Sequence, residues 1–350
     1  MPQLPKLSYV LLSHNREKYI RAAIESAFAQ DYEGELEYIF SDDCSTDRTF
    51  EIIKECVAAY KGNRRVVVTQ TPTNLRSAGN FNHALSFAMG DWIIRADDDD
   101  ISSVDRCSIT AKVITAVPGC SFIGICSKHT FTDEAEEDVL RRSRERHEIT
   151  EQLIQRDIRK DPLHLLQVNF KQYCHLTWNM DVYRTFGDLP EEAALSDDLI
   201  YYYRAAFLGK GVFLPETPLY FIRVGPQSQS RGHNDGSTTY AAVIRYERFL
   251  KHYNEITRIA LDKAYKQLLA YAQQTYSQED IEAAQPFINH MEERIARMDR
   301  FAKFWDESIL FRHRCNKEAG ITGMYGLLRC LPLPVFAALL SLFRKILKKR

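Results

Sequence analysis

The feature of this 350-residue chain that most constrains its fold is a regular alternation of apolar and amphipathic stretches over the first hundred residues. Four apolar runs rich in β-branched residues predict strands: LSYVLLS, LEYIFSD, RVVVTQ and DWIIRA. Apolar side chains at helical spacing predict helices between them, over residues 18–29, 46–60 and 77–89. The alternation predicts an α/β fold with a Rossmann-like, mostly parallel central sheet flanked by helices.

Polar side chains follow three of the four predicted strands. Ser13, His14 and Asn15 come after the first strand, two aspartates end the second, and residues 97–100 are four aspartates after the fourth. In parallel sheets, ligands bind at the carboxyl ends of the strands, near the point where the strand order switches direction. The sequence therefore predicts a binding site at this edge of the sheet.

The four consecutive aspartates in GDWIIRADDDDIS concentrate negative charge at one strand end, which is costly unless a cation neutralises it. Carboxylates are hard oxygen ligands that suit Mg²⁺ or Mn²⁺, and these metals bind diphosphates. Such a metal offsets the charge on a departing nucleotide diphosphate. The alternative interpretation is an acidic loop that caps the next helix through Ser102, Ser103 and Asp105.

The segment SDDCSTDRT ends the second strand. Asp42 and Asp43 are placed to hydrogen-bond a base edge and a ribose hydroxyl, and one of the residues 45–47 is placed to cap the next helix. A helix cap alone does not explain why two further carboxylates precede it.

Three segments, in this order and spacing, resemble the family-two glycosyltransferases of the GT-A fold: LLSHNREKYIRAAIESAFAQDY, SDDCSTDRTFEII and NLRSAGNFNHALSFAMGDWIIRADDDDIS. The resemblance is specific over the first 105 residues and continues more weakly through Asp198 to about Arg231. It implies a GT-A domain that takes a sugar from a nucleotide-sugar donor with inversion, using Mn²⁺ or Mg²⁺.

By this resemblance, Leu12 and His14 lie where the family contacts the nucleobase, and Asp42 and Asp43 match its base- and ribose-binding acids. Uridine is the base expected from the family's habit, with thymidine and guanosine left open.

The segment RADDDDIS matches the family's arginine–x–Asp–x–Asp–Asp pattern. The match makes Asp97 and Asp99 the DxD pair, with Asp99 as the metal ligand. The register within the four aspartates is open by one position, so Asp98 is a further candidate for contact with the ribose or the diphosphate.

The family's catalytic base is the second acid of an acid–Asp pair, followed six residues later by arginine. Asp197, Asp198 and Arg204 have this spacing in SDDLIYYYR, and Asp197, Arg204 and Arg223 are further candidates for contact with the acceptor or the diphosphate. Inversion requires a carboxylate that accepts the proton of the acceptor hydroxyl during in-line attack, and the resemblance assigns this role to Asp198. The alternative is a pair of acids favoured by the helix dipole behind an N-cap at Ser196.

The sequence departs from the family pattern at two places. In NLRSAGN, Arg76 stands where the family usually has glycine; it reaches the diphosphate or is a solvated surface residue. In YFIRVGPQSQSRGH, Arg223 is kept from a Tyr–Arg–x–His signature, but the histidine position is occupied by glycine. Arg231 and His233 are the candidate substitutes for that histidine; the alternative is that metal binding rests on Asp99 and the donor phosphates.

Acceptor contacts are expected between the metal motif and the base, where Tyr173, His175 and Trp178 lie. Aromatic rings suit the apolar faces of sugars, although such residues are more often part of the core. The heavily charged residues 134–160 favour a solvated helical excursion.

The C-terminal third is predicted to be helical, with Ser277 and Asp280 as a capping pair. Residues 335–350 predict an amphipathic helix with a basic end. Its apolar run is shorter than the ~20 residues of a membrane span, so an anionic membrane surface fits better, and the alternative is packing on the catalytic domain or a partner. The expected domains are 1–235 (a nucleotide half, 1–105, and an acceptor half, 106–235), 236–320 as a helical extension, and 321–350 as the tail.

The predicted function is transfer of a sugar, from a UDP-sugar by preference, to a hydroxyl of a glycan or lipid-linked glycan. A net charge of −1 argues against a nucleic-acid partner. Eight cysteines without a CxxC pair, behind a start that lacks a secretory pattern, favour a cytoplasmic protein, peripheral on the inner face of the cell membrane if the tail binds lipid. A nucleotidyltransferase would need a glycine-rich phosphate loop, which LLSHNREKYI lacks. A catalytically silent nucleotide-sugar-binding module in a glycan assembly complex is the remaining alternative.

Overall fold

The three-dimensional structure, a computed structural model, describes residues 4–126, 129–131, 136–149, 152–157, 159–160, 176–223, 239–321 and 323–347. Its strands are β1 (Leu7–Ser13), β2 (Leu36–Asp42), β3 (Val66–Gln70), β4 (Trp92–Asp97), β5 (Ile101–Ser102), β6 (Cys120–Cys126), β7 (His129–Phe131), β8 (Ile154–Arg156), β9 (Leu176–Asn179), β10 (Lys210–Pro218) and β11 (Tyr220–Arg223). Within the described residues, eight strands form one sheet in the order β3–β2–β1–β4–β9–β6–β10–β8.

The first four strands are parallel neighbours, as the alternation of apolar runs predicts. The connecting helices are α1 (Ile20–Phe28), α2 (Thr49–Ala59) and α3 (Arg76–Leu85). Every residue of β1 and β2 is buried, which is the pattern of strands covered by helices on both faces. In register, Ser13 lies opposite Asp42 and Leu12 opposite Asp97. The predicted polar strand ends therefore meet at one edge.

The second half of the sheet is mixed. β9 inserts between β4 and β6 and is antiparallel to both, whereas β10 is parallel to β6 and antiparallel to β8. The helices of this half are α4 (Arg106–Ala116), α5 (Glu136–Arg142), α6 (Asp181–Phe186) and α7 (Asp197–Leu208), and a 3₁₀ turn (Glu191–Leu195) precedes α7.

A separate small sheet has the order β5–β11–β7. β11 is antiparallel to β5 and parallel to β7. Because β5 begins directly after the four aspartates, this sheet brings β11 beside them. The sequence pattern does not predict this sheet, since strands of two to four residues carry too little periodicity to be recognised.

Compact packing divides the chain into two units, Met1–Val224 with Lys263–Asn289, and Gly225–Asp262 with His290–Arg350. The C-terminal helices are α8 (Tyr240–Thr275), α9 (Gln278–Ala283), α10 (Gln285–Ala302), α11 (Ile309–Glu318), α12 (Gly323–Arg329) and α13 (Leu333–Leu347). The predicted capping pair is present, because Ser277 and Asp280 form a reciprocal capping box at the start of α9.

The second unit has its own small core. Phe336 and Ala337 of α13 are fully buried there, and Arg329 donates to Glu247 at 2.9 Å. The predicted tail helix is present, but this packing occupies the start of the apolar side that was expected to face lipid. Among the described residues, no helix combines the length and the hydropathy that spanning a bilayer requires.

Candidate functional site

Three loops at the carboxyl ends of β1, β2 and β3 each hold one residue in the left-handed backbone region. They are Asn15 (φ 53°), Cys44 (φ 53°) and Arg76 (φ 61°), and in the described part of the chain no other non-glycine residue has a positive φ. Side chains with a Cβ pay roughly 1–2 kcal/mol for this conformation. Strain of this kind concentrates at ligand-binding and catalytic sites, so its restriction to one sheet edge supports a functional site there.

The two aspartates at the end of β2 have different surroundings. Asp42 is fully buried; Ser45 donates to it from both Oγ (2.5 Å) and the backbone N (2.9 Å), and Gln70 donates at 2.8 Å. Asp43 accepts from Thr71 Oγ1 (2.9 Å) and Leu75 N (2.7 Å), both at Oδ1. Oδ2 of Asp43 receives no hydrogen bond from any described residue. Asp42 thus organises the loop, and Asp43 is the acid that keeps an oxygen for a ligand.

His14 joins this acid to the aspartates after β4. Its Nδ1 lies 2.8 Å from the carbonyl oxygen of Asp43, and its backbone N donates to Oδ2 of Asp98 at 2.7 Å. Nδ2 of Asn74 lies 3.0 Å from Nε2 of the same ring. Leu12, the other predicted base contact, is a buried residue of β1. The sheet order switches direction between β1 and β4, so His14 lies at the position where such sheets bind ligands.

The aspartates after β4 form a partly buried acidic group. Burial and the neighbouring Asp99 raise the pKa of Asp98 well above its ordinary value, and burial also raises the pKa of Asp99. Nε of Arg16 lies 3.7 Å from Oδ1 of Asp98 and 3.6 Å from Oδ2 of Asp99, and its charge opposes both shifts. Sequence reasoning did not single out Arg16, although a cation three positions after β1 was a visible signal.

Arg223 braces the same group from β11. Its backbone N donates to Oδ1 of Asp100 at 2.7 Å and its Nε donates to the carbonyl oxygen of Asp99 at 3.0 Å. The guanidinium also contacts the carboxylate of Glu136 and lies 4.2 Å from the ring centroid of Tyr19. Arg223 is 3% exposed, so the structure gives it a role in shaping the aspartate loop.

Arg95 connects the end of β4 with the start of α7. Its Nη1 donates to Oδ2 of Asp197 at 2.6 Å, and its Nε lies 3.4 Å from Oδ1 of Asp97. The hydroxyl of Ser77, in the first turn of α3, donates to the same oxygen of Asp197 at 2.5 Å. Residues that are 120 positions apart in sequence therefore meet beside the aspartate cluster.

Asp198 follows Asp197 in the first turn of α7 and is partly exposed. Oδ1 accepts a hydrogen bond from Leu199 N at 2.7 Å, and no described residue donates to Oδ2. Burial and the charge of Asp197 raise the pKa of Asp198 to about 6, against the opposing charge of Arg95. A carboxylate with this pKa and an open oxygen is suited to accept a proton near neutral pH.

Three sequence-based assignments change in the structure. Arg204 is fully buried and donates to the carbonyl oxygens of Gly187 (3.0 Å) and Asp188 (3.1 Å), so it ties α7 to the start of the α6–α7 connection rather than facing a ligand. Trp178 is 1% exposed against Phe81 and Tyr201, and is therefore a core residue and no acceptor platform.

Ser196 occupies the N-cap position of α7, but its side chain makes no capping hydrogen bond. The first acid behind it, Asp197, is held instead by Arg95 and Ser77, from other elements of the fold.

Arg231 and His233 lie outside the described residues, as do Tyr173 and His175. Among the residues that are described, no group of three or more histidine, cysteine or acidic side chains is arranged to hold a metal ion by itself. The side chain of Asp99 is 19% exposed, compared with 12% for its neighbour Asp98, so Asp99 is the more accessible of these two acids.

The family described as Glycosyl transferase family 2 matches residues 8–162 of the chain. EpsE of Bacillus subtilis is 42% identical over 98 residues, which are 28% of this chain and 34% of EpsE. The poly(ribitol-phosphate) beta-N-acetylglucosaminyltransferase TarS of Staphylococcus aureus is 35% identical over 97 residues, 27% of this chain and 16% of TarS. The matches thus span about a third or less of these relatives.

Two solved structures are similar over nearly the whole chain. TarS in complex with UDP-GlcNAc gives a TM-score of 0.50 at 15% identity, over 97% of this chain and 92% of that one. The mannosyltransferase PcManGT of Pyrobaculum calidifontis, in complex with GDP-Man and Mn²⁺, gives 0.50 at 15% identity, over 98% and 89%. The likeness confirms the predicted GT-A fold and, at this identity, concerns the fold alone.

Proposed function

We propose that this chain, whose residues 8–162 match the glycosyl transferase family 2 model, is an inverting glycosyltransferase that moves a sugar from a nucleotide-diphosphate donor to a hydroxyl of a glycan acceptor. One observation carries the proposal. Asp198, a carboxylate with an open oxygen and a pKa raised to about 6, begins a helix that is tied to the DxD strand end through Asp197, Arg95 and Asp97. The acids suited to a donor and the acid suited to a base thus belong to one connected group.

The donor's nucleoside is assigned to the β1 and β2 loops. The open Oδ2 of Asp43 is an acceptor for an N–H of the base or a ribose hydroxyl, and His14 lies beside it. A uridine donor is preferred, because TarS has been solved with UDP-GlcNAc and is also 35% identical to this chain over 97 residues. PcManGT, which was solved with GDP-Man, is similar in fold alone. Asp97 and Asp98 then lie toward the ribose and the diphosphate, at the end of β4.

The residues present fit a divalent cation, Mn²⁺ or Mg²⁺, at Asp99. Cations of this size are typically held by one or two carboxylates together with substrate phosphates rather than by a complete protein cage, which agrees with a partly exposed Asp99 in an acidic group. When bound, the metal supplies positive charge that offsets the charge on the departing nucleotide diphosphate.

The transfer step is assigned to the chain's own residues. The acceptor oxygen attacks the anomeric carbon in line with the bond to the diphosphate, and Oδ2 of Asp198 takes the hydroxyl proton as the new glycosidic bond forms. The bond from the anomeric carbon to the phosphate oxygen breaks, and the nucleotide diphosphate leaves. The exposed guanidinium of Arg76 has no ionic partner among the described residues and lies at the start of α3, where it is placed to contact the diphosphate.

A catalytically silent nucleotide-sugar binder is the alternative. It would need the acids of the donor site but no acid with an open oxygen and a raised pKa, so Asp198 favours the enzyme. Replacing Asp198 by Asn separates the two functions. An enzyme loses turnover and keeps donor affinity, whereas a binder has no turnover in wild type and keeps its donor affinity in the variant.

The tail suggests the kind of acceptor. From Arg344 to the end, five of seven residues are Lys or Arg in KKR and RK runs that follow an apolar helix, and basic residues of this kind attract anionic lipid headgroups. We propose that the protein lies on the inner face of a cell membrane and that its acceptor is a lipid-linked glycan. Attachment is assigned to the basic end of the tail rather than to its apolar side, because Phe336 is already buried in its own unit.

The donor site is tested first by calorimetric titration with UDP, GDP and dTDP, with and without Mn²⁺. Wild type is expected to bind one nucleotide tightly only when the metal is present. Asp99→Ala is expected to bind that nucleotide weakly whether or not the metal is present. Asp91→Ala, which removes an exposed carboxylate at the other end of β4, is the matched control and should bind as wild type does. Metal-independent binding, or no binding of any of the three, would contradict the donor-site assignment.

A further inference from the structure

The Arg95 guanidinium is a buried cation shared by three elements of the fold. Arg95 is 9% exposed, donates to Asp197 at the start of α7, and its Nη2 lies 3.3 Å from Oγ of Ser77 in α3. Its Nε and Nη2 are both 3.4 Å from Oδ1 of Asp97, at the end of its own strand. A buried guanidinium requires paired acids, because its removal from water is costly.

Asp197 is the complementary half of this arrangement. Only 7% of it is exposed, and one oxygen, Oδ2, receives both the guanidinium at 2.6 Å and the Ser77 hydroxyl at 2.5 Å. Asp197 therefore has a structural partner for its charge and no surface on which an acceptor sugar would rest. This placement accounts for the first acid of the acid–Asp pair, which the sequence left between an acceptor contact and a helix-dipole acid.

We propose that Arg95 and Asp197 are positioning residues for the transfer reaction: their ion pair fixes the first turn of α7, and with it the base Asp198, against the donor-binding end of β4. The inference rests on the proposed function, because it takes Asp198 to be the base. Two donors bond one carboxylate oxygen of Asp197, so they fix the orientation of this side chain as well as its position. Asp198 is the next residue on the same helical turn and is therefore held with it.

The same pair balances the charge around the base. The charged groups that act on Asp198 are Asp197 on its own helix and Arg95 and Asp97 on β4. Burial raises the pKa of Asp198 most, Asp197 raises it further, and Arg95 lowers it, with the result at about 6. Loss of Arg95 would therefore raise the pKa of Asp198 and leave a larger share of the base protonated at neutral pH, and loss of the Asp197 charge would make it a weaker base.

The two halves of the pair consequently have opposite signatures. Arg95→Gln is expected to move the pKa of Asp198 up by roughly one pH unit, and Asp197→Asn to move it down by a similar amount, since a charge within a few ångströms has this order of effect. If the pair had only a structural role, both variants would loosen the site, and the pKa of Asp198 would not move in opposite directions in the two variants.

The test is a carboxyl-carbon NMR titration of protein labelled with ¹³C at the aspartate carboxyl group, in which the Asp198 resonance is assigned by its loss in Asp198→Asn. Asp181→Asn, which removes an exposed acid from the first turn of α6, is the control and should leave the Asp198 titration unchanged. Arg95→Lys, checked for folding by circular dichroism, keeps the positive charge but lacks the planar guanidinium. The pKa of Asp198 in this variant should be closer to that in wild type than the pKa in Arg95→Gln is.

Shifts of the same sign in Arg95→Gln and Asp197→Asn, or no shift in either, would overturn the proposal. The titration uses no substrate, so its outcome is separate from that of the proposed function. Unchanged turnover of UDP-GlcNAc in Asp198→Asn would remove the base assignment and leave the electrostatic pairing standing. If both assignments hold, the turnover that Arg95→Gln loses at pH 7 should recover in part at pH 8.5, because the base is then ionised again.

Discussion

The replacement of Arg76 by Gly should stabilise the fold and weaken the donor site at the same time. Arg76 is held at φ 61°, a conformation that costs a residue with a Cβ roughly 1–2 kcal/mol. Glycine avoids this cost but loses about 0.5–1 kcal/mol more chain entropy on folding. The expected net gain in the free energy of unfolding is therefore about 0.5–1 kcal/mol.

The loss of binding follows from the charge. The Arg76 guanidinium is exposed and makes no ion pair with a described residue, so a contact with the diphosphate would be its main interaction. A charge-assisted hydrogen bond contributes about 1.5–3 kcal/mol when it is protected, and we take the lower end for an exposed group. This corresponds to roughly a tenfold rise in the Kd of the nucleoside diphosphate.

Two further variants separate strain from charge. Arg76→Ala removes the cation and keeps the left-handed Cβ, so it should lose affinity without gaining stability. Cys44→Gly relieves the same conformation, at φ 53°, and removes no cation, so it should gain stability and keep affinity. Stability is measured by urea unfolding, and affinity by calorimetry with the nucleotide that wild type binds most tightly.

The reasoning fails if Arg76→Gly and Arg76→Ala both bind the nucleotide as wild type does, since Arg76 would then be a solvated surface residue that tolerates its strain. It also fails if Arg76→Gly is less stable than wild type, because the left-handed conformation would then cost less than the chain entropy that glycine loses on folding.

Further predictions concern the base, the α6–α7 connection and the tail. Asp198→Asn should lower turnover about 10²- to 10⁴-fold with nucleotide affinity retained. Because the native pKa of Asp198, about 6, lies above its ordinary 3.8, wild-type stability is fully present below the lower value and falls as pH rises through this window. Urea unfolding should therefore show Asp198→Asn more stable than wild type above pH 6, by up to about 3 kcal/mol, with no difference below pH 4. Arg204→Met, which leaves buried carbonyl oxygens without donors, should lose about 2–4 kcal/mol of stability in the same assay while binding of nucleotide by the folded protein is unchanged. Replacing Lys348, Lys349 and Arg350 by Gln should weaken sedimentation with phosphatidylserine vesicles by about 1 kcal/mol per residue and leave phosphatidylcholine vesicles unaffected; equal binding to both would refute lipid attachment through charge.

Much of the first hundred residues could be read from the sequence because the signals there are local. LEYIFSD was predicted as a strand and forms β2 over those same residues, and the helix predicted for residues 18–29 forms over Ile20–Phe28. Hydrophobic periodicity depends only on near neighbours, and parallel strands bring their carboxyl ends to one edge whatever the details of packing.

Contacts between distant segments were beyond such reasoning. Nothing local in RADDDD or SDDLIYYYR reveals that Arg95 and Asp197, 102 positions apart, form an ion pair. The insertion of β9 antiparallel between β4 and β6 is equally non-local, and it buries Trp178. Arg204 was misassigned because its spacing matches the family motif, whereas its direction is set by the connection it supports.

The positions of the acids, at the ends of apolar strands and in the first turn of a helix, can be predicted from the sequence, because strand and helix formation follow from short-range pattern. Which of these acids are engaged by partners depends on contacts that form only in the folded chain. Asp42 and Asp43 are adjacent in sequence, yet only Asp43 of the two has an oxygen left open by the described residues. Of the neighbours Asp197 and Asp198, Asp197 is paired with a buried arginine, whereas Asp198 is partly exposed and has no ionic partner of its own in the described part of the chain. The partners that set these differences include Gln70 and Arg95, which are far from the acids along the chain and which no local pattern reveals.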